Sequence, residues 1–251
     1  MHLVRYHDRV GTVRTGNLQD DMIYSDGDEY CLDDVDVLPP TEPSKVIGVG
    51  PNYHSNIEHY DREEPTSPAD LLVFVKTPPN VLVSHRGTAR LRPPGEFHFE
   101  GELGVVIGRR CRNIARADAM DYVSGYTCVN EITNKGIPES QYDPQNTVRS
   151  KSFDGSAPIG PVVASPDEVP DDATLELRVN GESRQHDSIS QLIHPVPALL
   201  AELSTYLTLE PGDVVATGSP AGVDRLFDGD QVEVEIEGIG TLKHDVRIPS
   251  E

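Results

Sequence analysis

Cysteine, lysine and long apolar stretches are all scarce in this chain of 251 residues, and each shortage closes off a class of protein. The three cysteines, Cys31, Cys111 and Cys128, are odd in number and widely spaced. That excludes a disulfide framework and any CxxC metal site, leaving ordinary thiols. No run of 18 apolar residues occurs, and the opening Met1-His2-Leu3-Val4-Arg5-Tyr6 has no apolar signal-peptide core. A soluble, cytoplasmic protein is therefore expected, without a membrane partner.

Positive charge is short as well. Lys and Arg together number 21 against 42 Asp and Glu, a formal net charge of −21. Such an excess repels phosphate and anionic headgroups, so nucleic acid is not expected as a partner. Only Lys45, Lys76, Lys135, Lys151 and Lys243 are lysines, and acids crowd segments such as residues 167–172. This pattern resembles proteins of high-salt cytoplasm, where a Debye length of about 3 Å screens self-repulsion; a halophilic archaeal source is one reading and an acidic mesophilic enzyme the other.

What is abundant is turn chemistry: 21 glycines and 21 prolines spread through the chain, suited to many short strands. The first forty residues read as short strands broken by turns, at residues 3–6, 11–14 and 22–24 before Asp26-Gly27, ending at Pro39-Pro40. A small β-rich N-terminal unit over residues 1–42 and a larger domain over 43–251 are expected. Residues 45–50 form a buried-strand run leading to residues 52–60, a candidate short helix. Further strands are expected near 71–76, 102–107, 122–129, 174–179, 213–216, 231–237 and 241–246. One good helical pattern, residues 195–207, places Val196, Leu199, Leu200 and Leu203 on one face. One helix among many strands implies a β-dominated α+β fold, not a parallel α/β sheet.

The most informative stretch is His98-Phe99-Glu100-Gly101-Glu102-Leu103-Gly104-Val105-Val106-Ile107-Gly108. Strand periodicity puts Glu100 and Glu102 on one face, roughly 7 Å apart along the chain, with Gly101 permitting close approach on the other face. Two carboxylates so placed, beside an apolar run, need a cation, and oxygen-only donors favour Mg²⁺, Mn²⁺ or Ca²⁺ over zinc. On periodicity alone a solvated acidic strand face is the favoured reading.

These residues resemble the metal-binding strand of the fumarylacetoacetate hydrolase (FAH) superfamily, a Glu-x-Glu followed some thirty residues on by a Gly-Tyr-Thr strand bearing an acidic ligand. Here that strand is Gly125-Tyr126-Thr127-Cys128-Val129-Asn130-Glu131. Gly50-Pro51-Asn52-Tyr53, Phe74-Val75-Lys76-Thr77-Pro78, Lys151-Ser152-Phe153-Asp154, Pro158-Ile159-Gly160-Pro161, Val179-Asn180-Gly181-Glu182, Leu209-Glu210-Pro211-Gly212-Asp213-Val214 and Thr217-Gly218-Ser219-Pro220-Ala221-Gly222-Val223 match in order, covering residues 44–248. The resemblance implies an FAH-type mixed β-sheet roll and a homodimer. It also implies a metal, Mg²⁺ with Mn²⁺ or Ca²⁺ as alternatives, held by Glu100, Glu102 and Glu131, with Lys151 contacting substrate and Asn52, Tyr53, Thr217 and Ser219 on the substrate side.

Three departures stand out. Glu131 replaces the family's usual aspartate, moving the carboxylate by about 1.5 Å. The lid histidine and glutamate that activate water are replaced by Asn56 and His59, leaving His54, Glu58 and His59 as candidate acid–base groups, with His54 and Glu58 at i,i+4 spacing. The pocket loop carries Lys135 and Pro138 in place of Arg and Gln, with Glu139 and Gln141 nearby. The implied function is a metal-dependent enzyme for a 2-oxo acid or 1,3-dicarbonyl compound, hydrolysing an acylpyruvate-type carbon–carbon bond, or decarboxylating or isomerising through an enolate. Alternatives are a 2-keto-3-deoxy sugar acid dehydratase and a non-catalytic metal- or metabolite-binding member.

Overall fold

The computed structural model describes residues 1–92, 95–136 and 147–249. Strands carry the architecture, and helices are few. The helix expected over residues 195–207 is Val196–Tyr206, entered from Pro195, with Leu199, Leu200 and Leu203 buried. Residues 52–60 hold a shorter helix, His54–His59.

A large mixed sheet starts with an antiparallel N-terminal meander, Asp28–Cys31, Met22–Ser25, Val13–Gln19 and His2–His7. One of its tight turns is Asp26-Gly27, where both residues adopt positive φ (51° and 90°), as a two-residue hairpin with right-handed strand twist requires. The sheet continues through Ala157–Ala164, Val123–Asn130, Gly101–Ile107, Val214–Ala216, Val46–Gly50 and Leu72–Lys76. Val214–Ala216 runs parallel to Val46–Gly50, which makes the sheet mixed. The N-terminal meander joins the rest through His2 opposite Ala164 and Leu3 opposite Val163. Its Val4, Tyr6 and Ile23 share one buried cluster with Leu103, Val105 and Leu177.

A second sheet orders Glu182–Ser188, Thr174–Val179, Gln231–Ile236, Gly240–Arg247 and Thr88–Arg90, and its Leu175, Leu177, Val232, Val234 and Leu242 join the same core as the first. A strand pair, Phe97–His98 with Thr133–Asn134, stands beside them.

Among the strands that hydrophobic patterning did not show, two are long. Ala157–Ala164 is buried at every residue and central to the large sheet, yet Pro158 and Pro161 lack the N–H that a central strand normally donates. Glu182–Ser188 is almost wholly polar and is held by the Asn180-Gly181 turn, again with both φ values positive.

Candidate metal centre

Register brings the acidic residues together. Gly101–Ile107 pairs antiparallel with Val123–Asn130, with Gly101 opposite Asn130 and Glu102 opposite Val129. Just beyond the ladder, the Glu131 N–H donates to the Glu100 carbonyl at 2.7 Å, and the Glu100 N–H donates to Asn130 Oδ1 at 3.0 Å. The two chain ends are thereby clamped, and Glu100, Glu102 and Glu131 each present a carboxylate oxygen within 4.8 Å of the others. Gly101 packs against the side chain of Leu177, to which an added Cβ would come within 3.1 Å. The close approach expected there is thus made by a side chain of the second sheet, not by backbone. Gln185, 1% exposed, accepts the Gly101 N–H at 2.8 Å and donates to the Pro220 carbonyl at 2.8 Å, joining the acidic strand to the turn that carries Ser219.

The charges in this cluster do not balance within the protein. Lys151 Nζ lies 2.5 Å from Glu131 Oε2 and 3.4 Å from Glu100 Oε1, and Lys76 Nζ lies 2.6 Å from Glu131 Oε1. Thr133 Oγ1 donates to Glu100 Oε1 at 2.7 Å. Burial alone would raise the Glu131 carboxyl, but the charges of Lys151 and Lys76 outweigh it and bring it down to about 2. Burial would likewise lower the Lys151 ammonium, and Glu100 and Glu131 outweigh it, raising it.

Glu102 is different. It is 2% exposed, its hydrogen-bond donor is the Gly218 N–H at 2.8 Å, and burial, followed by repulsion from Glu131 and Glu100, pushes its carboxyl well above the usual range. Two like charges about 4.8 Å apart repel by about 3 kcal/mol at an effective dielectric of about 20. Three carboxylates against two ammonium groups, with the buried Glu102 carboxylate lacking an ammonium contact, form a donor set that a hard divalent cation fits.

Above the cluster lies a cavity of about 170 Å³ whose wall includes Asn56, Tyr60, Arg62, Lys135, Lys151 and Ser219. Ser219 Oγ donates to Glu100 Oε2 at 3.3 Å. Lys151, at the end of the short helix Val148–Lys151, is the predicted substrate lysine, and it does face the cavity.

Other predicted residues sit elsewhere. Asn52 is fully buried, donating to the carbonyls of His194 and Thr217 at 3.0 and 2.9 Å and accepting the His194 N–H. Thr217 Oγ1 donates to the Leu103 carbonyl. The ring of Tyr53 is buried, and its hydroxyl has no partner among the described residues. These three residues stand behind the cavity wall rather than in it. On the helix His54–His59, Asn56 faces the cavity, while Glu58 and His59 are exposed. His54 Nδ1 lies 3.2 Å from Glu64 Oε2, so its carboxylate contact is Glu64 rather than Glu58. Pro138, Glu139 and Gln141 lie outside the described residues.

Sequence reasoning assigned no role to Lys76, Thr133, Tyr60 or Arg62. The signal for Lys76 was its place in the Leu72–Lys76 strand, in phase with buried Phe74. A lysine on the core face of an apolar strand implies a buried anion.

The profile of the family described as "Fumarylacetoacetate (FAA) hydrolase C-terminal" matches residues 45–247. The chain belongs to this family. Like other FAH members it has solved relatives that superpose over the full chain: the 5-carboxymethyl-2-hydroxymuconate delta-isomerase of Mycobacterium smegmatis is 33% identical, with a TM-score of 0.88 and all of both chains covered. The maleylpyruvate hydrolase of Sphingobium sp. SYK-6, in complex with manganese(II) and pyruvate, is 27% identical with a TM-score of 0.81, again over all of both chains. The 4-hydroxyphenylacetate degradation bifunctional isomerase/decarboxylase of Salmonella dublin is 37% identical over 221 residues, covering 87% of this chain and 50% of that protein. The FAH chain described here therefore spans half of that bifunctional relative. Among the described residues, no helix is long and apolar enough to cross a membrane.

Proposed function

We propose that this FAH member is a divalent-cation-dependent enzyme acting on a small 2-oxo acid or 1,3-dicarbonyl compound. The observation that carries this reading is the convergence of Glu100, Glu102 and Glu131 below a cavity that also exposes Lys151 and Ser219. Those three carboxylates would hold the cation, Mg²⁺ in the first instance with Mn²⁺ or Ca²⁺ as alternatives. The manganese and pyruvate of the Sphingobium relative support it. When bound, the cation supplies Lewis-acid polarisation of the substrate's oxo group.

The remaining work falls to the chain's own groups. Lys151, whose ammonium contacts Glu131 and Glu100, would donate to the oxygen on which negative charge develops. The Ser219 hydroxyl orients the substrate carboxylate, and Arg62 and Lys135 add positive charge at the cavity wall. Proton transfer by His54, Glu58 or His59 belongs to the hydrolytic form of this proposal, which needs an activated water. A second form, decarboxylation or tautomerisation, needs chiefly enolate stabilisation. It is favoured by one observation: the lid helix offers Asn56 to the cavity, not those three groups. A homodimer is part of the same proposal, read out by light scattering.

The test is turnover with acylpyruvates, oxaloacetate and 2-keto-3-deoxy sugar acids, with Mg²⁺ or Mn²⁺ and after chelation, in high salt. Cation-dependent turnover of one of these supports the proposal. Cation binding without turnover of any of them points instead to a metal- or metabolite-binding member, and turnover unaffected by chelation overturns the metal reading.

A further inference from the structure

Lys76 is 1% exposed, with two of its N–H donors committed to backbone carbonyls and its charge paired with Glu131. Its Nζ donates to the Ile132 carbonyl at 3.0 Å and to the Lys151 carbonyl, and it contacts Glu131 Oε1 at 2.6 Å. The rings of Phe74 and Phe153 flank it, with centroids 5.9 and 5.7 Å away. An ammonium so enclosed cannot turn to water, and stripping it of its carboxylate would leave an uncompensated buried charge.

Lys151 differs in freedom. It holds the other oxygen, Glu131 Oε2, at 2.5 Å, but its side chain is 11% exposed and faces the cavity. Of Glu131's two oxygens, one is pinned by a charge that cannot leave and the other by a charge that can.

We infer that Lys76 is a positioning residue that restricts Glu131 to one oxygen toward a bound cation and thereby biases the centre toward small cations over Ca²⁺. The inference rests on the metal reading above. Its chemistry is that of coordination number. Ca²⁺ gains from bidentate carboxylates and accepts six to eight oxygens, whereas Mg²⁺ requires compact octahedral coordination in which each carboxylate gives one oxygen. A dication approaching Oε1 would meet the ammonium of Lys76 on the same atom, so approach through the second oxygen is disfavoured by direct repulsion. The longer side chain of Glu131 is compatible with this arrangement, since its carboxylate spans from the strand end to both lysines.

The test is calorimetric titration of the full chain, without substrate, with Mg²⁺, Mn²⁺ and Ca²⁺ separately, on the parent and on Lys76→Met and Lys76→Gln. The readout is the ratio of affinities. The parent should bind Mg²⁺ and Mn²⁺ more tightly than Ca²⁺, and each neutral variant should shift the ratio toward Ca²⁺ by about tenfold or more. Lys76→Arg, which keeps a charge on Oε1, should retain the parental ratio. A purely structural role would weaken all three cations in parallel, and that result overturns the inference while leaving the metal centre intact. A parent that binds Ca²⁺ as tightly as Mg²⁺ overturns it without any variant, so the test survives a variant that fails to fold. No binding of any of the three to the parent overturns both the inference and the metal reading.

Discussion

The backbone N–H of Gly218 donates to Glu102 Oε2 at 2.8 Å across 116 positions of sequence, tying the acidic strand to the turn that presents Ser219. Gly218 has φ of +99°, and an added Cβ would lie 3.0 Å from Asn52 Cβ and 3.3 Å from the Val49 carbonyl oxygen. The turn therefore needs a glycine for its conformation as well as for space.

Gly218→Ala should destabilise the fold by about 1–3 kcal/mol, the usual cost of holding a non-glycine residue in that region. It should also weaken divalent-cation binding, because Glu102 loses the donor that fixes it. Denaturant melts and cation titrations on the same protein measure both; unchanged values in both would show that the turn tolerates a side chain and that the N–H does not organise Glu102.

The lid separates the two forms of the proposed chemistry. With Asn56 at the cavity wall and Glu58 and His59 exposed, His59→Ala, His54→Ala and Glu58→Gln are each expected to keep kcat within about threefold of the parent, as decarboxylation or tautomerisation requires. A general base contributes about 10²–10⁴-fold, so a loss of that size in any one of them assigns proton transfer to the lid and restores hydrolysis. Glu100→Ala should abolish turnover and cation binding together.

Acid sensitivity should set in above the carboxylate range. His85 is buried at 6% exposure, and burial, with the charges of Arg86 and Lys243, pushes its imidazole down to about 4. The unfolded chain takes up this proton near pH 6.5 and the folded chain only near pH 4, so stability falls as pH drops through that window. The loss is on the order of 3 kcal/mol when complete. His244, fully enclosed and also brought down to about 4 by burial, adds a slope of the same sign. His85→Gln should flatten the pH dependence of the melting temperature between about pH 6.5 and 4; an identical slope in parent and variant would remove His85 as its source.

Salt should stabilise the chain. With 42 acidic residues against 21 basic ones, repulsion over the surface is screened only when the Debye length falls to a few ångströms. The melting temperature in molar KCl is expected to exceed that in dilute buffer. Equal values would tell against adaptation to high salt and favour an ordinary acidic enzyme.

Much of the candidate centre was legible because it is local. Period-two alternation paired Glu100 with Glu102, an apolar run after them marked a buried strand, and only the resemblance of the motif beginning at Gly125 to the family's strand pointed to Glu131 despite its added methylene. The Asp26-Gly27 turn and the Val196–Tyr206 helix followed from φ preference and a 3.6-residue stripe. None of these depends on distant residues. What only the tertiary structure decided is which distant groups meet the acids. Lys76 reaches Glu131 because sheet order and the adjoining loops carry the end of its strand to the Ile132 and Lys151 carbonyls. Gln185 bridges Gly101 and Pro220 because a polar strand with no hydrophobic signature lies in the second sheet. The lid's i,i+4 geometry could not show that His54 meets Glu64, or that Asn56 takes the inner face. Sequence periodicity specifies the face of an element to which a side chain belongs, whereas the partner across that face is set by strand order, register and loop path, which lie between residues far apart in the chain.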